Sequence, residues 1–126
     1  MKILLVEDES ATRLMLEAML VSMKYEVTVA ADGREAWQLF QEQRFPLVIT
    51  DWLMPEMDGL ALCRAIRELS RDQYTMILLI TGLAGKEDYL EAMAAGVDDF
   101  IAKPIDEDRL RAKLKVIERI LGIMRG

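Results

Sequence analysis

The chain has 126 residues, 52% of them hydrophobic, with 16 basic and 22 acidic side chains and no histidine. That length suits one ordinary domain with a real core. A net charge of −6, with no Lys/Arg cluster interleaved with aromatics, argues against direct binding to nucleic-acid phosphates. The missing histidine excludes a histidine phosphocarrier, a Ser-His-Asp hydrolase and the usual zinc enzymes.

The apolar pattern alternates between short runs and helical periodicities. Ile3 to Val6 is a compact apolar run that stops at acid, as a buried strand does. Ser10 then reads as the cap of a helix with Leu14, Met15, Ala18 and Met19 on one face. Tyr25 to Ala30 is rich in β-branched residues and reads as a second strand. Gly33 opens a helix that turns Ala36, Trp37 and Phe40 inward. Leu47 to Thr50 forms the third strand and ends at Asp51. Gly59 to Leu69 is helical, Thr75 to Thr81 holds the strongest strand run, and Glu87 to Ala95 is a short helix closed by Gly96 in the left-handed conformation. Val97 to Ala102 is the fifth strand, and Asp106 begins the last helix. Such alternation implies right-handed crossovers and an α/β doubly wound, five-stranded parallel sheet. Cys63, alone in LALCRAI, reads as a small buried hydrophobe. MKILLVEDE lacks the form of a signal peptide, and no apolar run approaches the ~20 residues that span a bilayer, so the expected address is cytoplasmic, with no membrane contact.

In an open α/β sheet the ligand site lies beyond the carboxyl ends of the strands. The residues there are Glu7, Asp8 and Glu9 after the first strand, Asp51 after the third, Thr81 after the fourth and Lys103 beyond the fifth. Taken singly, each has a plain structural explanation: acids favour a helix N-terminus, threonine favours strands, and a lysine before proline is ordinarily a solvated loop residue. Taken together, they gather carboxylates, a hydroxyl and an ammonium at one edge. Crowded carboxylates repel one another unless a cation sits among them, and oxygen-only ligands suit a hard ion such as Mg²⁺. Asp51 could then attack a phosphoryl donor in line.

These segments also carry a resemblance. ILLVEDE, VITDWLMPEMDGL, LLITG and GVDDFIAKPI resemble the receiver domain of two-component response regulators, in particular the chemotaxis regulators, along essentially the whole chain. The resemblance implies the flavodoxin-like (βα)5 strand order 2-1-3-4-5 and a phosphoacceptor role for Asp51. It implies Mg²⁺ held by Asp8 and Asp51, by Glu7 through water, and by the backbone carbonyl of Leu53. Thr81 and Lys103 would contact phosphoryl oxygens, and Phe100 would be the switch aromatic that fills space vacated by Thr81. A cis Lys103–Pro104 bond is implied as well. Glu7 stands where aspartate is common, Gly82 where alanine is common, and Phe100 lacks the hydroxyl of a tyrosine. Leu53 and Leu83 flank the site and cannot hold an attacking water, which predicts a long-lived aspartyl phosphate.

On this reading the protein is a switch and not a turnover enzyme: it catalyses only its own phosphotransfer and autodephosphorylation. Its partner would be a histidine kinase or a histidine phosphotransfer protein. Leu110, Leu114, Ile117, Leu121 and Met124 form a heptad stripe on the last helix. That helix could extend from the receiver domain, residues 1–126, toward an output domain. A homodimer could form through the face of the fourth helix, fifth strand and fifth helix, or through the last helix. Three other classes are weighed against this one. A non-phosphorylated interaction module would not need the intact acid, hydroxyl and lysine set. A phosphohydrolase would want an acid two residues past Asp51, where Leu53 stands. A flavodoxin-like cofactor binder would want a Gly/Ser/Thr-rich loop in place of EDESATR.

Overall fold

Each apolar run is a strand and each periodic stretch a helix in the computed structural model, which describes residues 1–69, 71–82 and 85–125. In chain order the elements are β1 (Lys2–Val6), α1 (Ser10–Ser22), β2 (Glu26–Ala30), α2 (Gly33–Glu42), β3 (Leu47–Asp51), α3 (Gly59–Glu68), β4 (Met76–Thr81), α4 (Lys86–Ala95), β5 (Asp99–Ala102) and α5 (Glu107–Arg125). All strand pairs are parallel, in the order β2-β1-β3-β4-β5. The winding reverses between β1 and β3, which opens a crevice at their carboxyl ends.

Two apolar clusters sandwich the sheet. On one face Phe40 of α2, Leu60 and Ile66 of α3 and Ala92 of α4 pack against Val6, Val48 and Leu79. On the other, Leu16 and Leu20 of α1 and Leu110 and Leu114 of α5 pack against Leu5, Ile49 and Leu78. Every residue of β3 and β4 is buried, which is why these strands read as unbroken apolar runs instead of alternating ones. Each fully buried Leu or Ile contributes about 1.5–3 kcal/mol of apolar transfer, so the strand ends are anchored to a rigid platform.

Two local expectations are corrected. Ser10 is the first helical residue of α1, and the cap is Glu9, in extended backbone, whose carboxylate accepts the Thr12 N–H at 3.0 Å and the Thr12 hydroxyl. A carboxylate there satisfies an unpaired donor and also complements the helix dipole. The buried residues of α1 are Leu16 and Leu20, whereas Leu14, Met15 and Ala18 face outward and Met19 is half-buried. On α5, Leu110, Leu114, Ile117 and Leu121 all belong to the core, and of the stripe only Met124 is exposed. Gly96 is left-handed (φ 101°) as expected, and Lys103–Pro104 is cis.

Candidate functional site

Strand register assembles the site. Val6 lies opposite Thr50, Asp51 opposite Ile80, and Thr81 opposite Ala102. The next residues along β1 and β5, Glu7 and Lys103, therefore converge on Asp51. Lys103 Nζ is 2.9 Å from Asp51 Oδ2 and 3.8 Å from Glu7 Oε1. Asp51 Oδ1 accepts the N–H of Trp52 at 2.8 Å. Thr81 is buried beside them, and its carbonyl accepts the Lys103 N–H at 3.1 Å. Gly59, the first residue of α3, lies so close that a Cβ there would come within 2.3 Å of the Asp51 carbonyl oxygen. Only glycine lets the helix start so close to the end of β3.

The acids of the EDE run have separate fates. Glu9 is spent on the α1 cap. Glu7 is only 1% exposed; its Oε2 accepts the Glu9 N–H at 3.1 Å, and its carbonyl accepts Arg13 at 2.9 Å. Glu7 Oε1 is buried and accepts no hydrogen bond, with the Lys103 ammonium 3.8 Å away. Burial pushes the Glu7 carboxyl up to about 7, with the Asp51 charge and Asp8 adding to it and the Glu9 N–H and Lys103 opposing. At Lys103 burial works against the charged form, but the hydrogen bond to Asp51 and the charges of Asp51, Glu7 and Asp8 prevail, raising the ammonium above its ordinary value.

One carboxylate oxygen each from Glu7, Asp8 and Asp51 lies within 4.8 Å of the others. Asp8 is exposed and open to solvent. An orphaned buried carboxylate oxygen beside two further carboxylates, with one ammonium to offset them, fits a hard divalent cation with oxygen ligands. Leu53 follows on the β3–α3 loop, its side chain 63% exposed. Phe100 is half-buried, its ring 5.3 Å from that of Tyr89. Trp52, Thr81, Tyr89, Phe100 and Ala102 line a cavity of about 180 Å³ between the site and the N-terminal half of α4. A Cβ on Gly82 would meet nothing within 4 Å, so alanine would fit there. Leu83 lies outside the described residues.

Glu7, Asp8, Asp51, Thr81 and Lys103 therefore come together, Leu53 lies on the adjoining loop, and Phe100 stands apart behind the cavity. The sequence reading missed the Trp52 N–H on Asp51 and the Arg13 guanidinium on the Glu7 carbonyl. Both bonds end on a backbone group, for which residue identity carries no signal.

Comparison with known proteins gives a consistent result. The family model described as response regulator receiver domain matches residues 3–115. The chain is 39% identical to chemotaxis protein CheY1 of Helicobacter pylori, covering 93% of this chain and 96% of that protein. It is 37% identical to response regulator RppA of Synechocystis over 94% of this chain, but it spans only about half (51%) of RppA. Among solved structures, Vibrio cholerae CheY4 superposes with a TM-score of 0.87 at 35% identity, over 92% of this chain and 97% of that one. The receiver domain of the Pseudomonas aeruginosa sensor kinase PA1611, solved with a magnesium ion in its active-site cleft, gives 0.84 at 33% identity, over 96% and 97%. Fold, site geometry and these likenesses lead to one assignment: the chain belongs to the response regulator receiver domains, the phosphoacceptors of two-component signalling.

Proposed function

We propose that Asp51 is the acceptor, taking a phosphoryl group from a phosphohistidine of a histidine kinase or histidine phosphotransfer protein. The observation that carries this is the 2.9 Å contact of Lys103 Nζ with Asp51 Oδ2, inside a cluster of three convergent carboxylates. An Asp51 oxygen forms a bond to phosphorus as the donor's phosphorus–nitrogen bond breaks, and the electron pair stays on the imidazole nitrogen. Mg²⁺, held by Asp8, Asp51, the Leu53 carbonyl and Glu7 through water, would supply counter-charge for the incoming group. Asp51 needs no activation beyond ionisation, and the Trp52 N–H keeps one of its oxygens turned away. Lys103 exchanges its bond to Asp51 for one to a phosphoryl oxygen, and Thr81 donates to another. Its turnover is limited to Asp51 itself.

Intact mass after incubation with Mg²⁺ and a small phosphodonor tests this directly. The wild type gains one phosphoryl group, whereas Asp51→Asn, or the wild type without Mg²⁺, gains none. An adduct on Asp51→Asn would mean another residue is the nucleophile.

The output surface on this reading is the face of α4, β5 and α5. Glu87 and Glu91 of α4 are exposed, as are Arg111, Lys115 and Arg119 of α5. A two-fold pairing of copies would set these acids against these bases. Ile123 and Met124 are exposed at the end of α5, which suits a helix that continues toward an output domain. The length of RppA beyond the matched part supports the same proposal. No described helix is long and apolar enough to cross a membrane.

A further inference from the structure

The two ends of α4 are held very differently. Its last carbonyls, which no intrahelical N–H can reach, are met by side chains of α3. Cys63 Sγ donates to the Ala95 carbonyl at 3.1 Å. One turn further along the same face of α3, Arg67 donates twice to the Gly96 carbonyl, from Nε at 3.0 Å and from a terminal nitrogen at 2.9 Å. The rest of that guanidinium bonds the Thr75 carbonyl at 2.7 Å and Asp98 Oδ2 at 2.8 Å, and the guanidinium carbon lies 4.5 Å from the centroid of the Tyr74 ring. Asp98 in turn accepts the Tyr74 hydroxyl at 2.6 Å and the Ile77 N–H at 2.8 Å. Gly96 fits this grip for two reasons: its φ is 101°, and a Cβ would come within 2.8 Å of the Arg67 side chain.

Among the described residues nothing comparable holds the other end, where the one side-chain anchor is the Tyr89 ring, 5.3 Å from that of Phe100. The cap of α4 is Gly85, whose N–H donates to Asp88 within the helix. The buried residues of α4 are Ala92 and Ala95, both in its C-terminal half, while Tyr89 and Leu90 are more than half exposed. Beneath the N-terminal half lies the 180 Å³ cavity between Thr81 and Phe100. Few apolar contacts and an underlying void are the marks of a segment of low local stability.

We propose that Arg67 is the positioning residue of α4: it pins the helix at Gly96 and makes it a lever with one fixed end, free to swing at Tyr89 and Leu90 above the cavity. Three further observations fit this role. The guanidinium is largely buried, with its side chain 23% exposed, and its donors bind α3's own neighbours on three separate segments: Thr75 before β4, Gly96 after α4 and Asp98 before β5. Gly59 of the same helix abuts Asp51, so α3 links the acceptor strand to the pivot as one rigid body. The moving end is the one that carries the exposed aromatic and aliphatic side chains of the output face.

The proposal does not depend on phosphorylation, and neither does its test: amide hydrogen exchange of the unmodified full chain, followed by NMR. The diagnostic amides are Gly96, Val97 and Asp98, which are bonded to the Met93, Ala92 and Ile77 carbonyls. In the wild type their protection factors should exceed those of Leu90 and Glu91 by roughly ten-fold or more. Arg67→Met, which keeps the stem and removes the donors, should lower protection at 96–98 by about ten-fold, with Leu90, Glu91 and the β1 and β3 amides within about three-fold of wild type. Tyr74→Phe, which removes one hydroxyl, should lower the same three amides by a smaller factor, and it decides the matter if Arg67→Met does not fold. Equal protection at the two ends of wild-type α4 overturns the proposal. So does a loss of protection spread evenly over the sheet, which would make Arg67 an ordinary stabilising residue.

Discussion

Two residues past Asp51 the chain presents Leu53, a side chain 63% exposed at the mouth of the site. Hydrolysis of an aspartyl phosphate needs a water held in line with the phosphorus, and an isobutyl group has neither donor nor acceptor with which to hold one. Asparagine at this position would have both. Leu53→Asn is therefore expected to shorten the lifetime of the phosphorylated chain by roughly three-fold or more, measured as loss of the mass adduct after the donor is removed. An unchanged or longer lifetime would show that water reaches the phosphorus by a route Leu53 does not control. The residue-level site was largely legible because strand ends deliver side chains to one edge, whatever the exact bounds of each strand. Glu9 was not: three consecutive acids look alike in a sequence, and only the start of α1 decides which becomes a cap and which faces a cation.

Among the elements, α1 was the one misread. Its sequence, SATRLMLEAMLVS, is apolar on more than one side, so a 3.6-residue period fits both Leu14–Met15–Ala18 and Leu16–Leu20. The choice is made by β1 and β2, which pack against α1 and cannot be seen from its local sequence. By contrast α2 carries one apolar face, and Ala36, Trp37 and Phe40 do turn toward the core as read. The pairing of β4 with β5 has a functional counterpart. It sets Thr81 and Phe100 on adjacent strands with a cavity between them, bounded by Tyr89 of α4. Movement of Thr81 toward a phosphoryl group would vacate space on the Phe100 side. Phe100 has no hydroxyl to satisfy, so on this reading burial alone would drive it inward. Thr81→Ala should still take up the phosphoryl group, since Asp51 and Lys103 are intact. It should, however, lose most of the phosphorylation-dependent NMR shift changes in residues 86–102. If those changes persist at wild-type size, Thr81 is not the coupling element.

For the whole molecule, the alternation of five strands with five helices was enough to predict a doubly wound sheet with helices on both faces, and the two clusters, one on either side, bear this out. The same burial that closes these clusters traps groups whose ionisation opposes folding. Cys63 packs between α3 and α4, and burial pushes its thiol from an ordinary 9.0 up to about 11. Burial likewise raises the phenol of Tyr25 to about 12, aided by a hydrogen bond to Glu118. Tyr74 also reaches about 12, through burial and its bond to Asp98. In each case the folded chain binds its proton more tightly than the unfolded chain does. The resulting stability is complete below pH 9 and is lost as pH rises through the folded values, because the unfolded state ionises first. Lys103, also raised, acts with the same sign. For the fully buried Cys63 the contribution at stake is at most about 3 kcal/mol; Tyr74 is partly exposed and adds less. Urea midpoints should thus change little between about pH 8 and 8.5, once Glu7 has lost its proton, and fall steadily from pH 9 to 11. Cys63→Ala should start lower, having lost packing and the bond to Ala95, yet fall less steeply over the same range. Equal slopes in the two proteins would mean that the thiol titrates freely and that the junction of α3 and α4 is open to solvent.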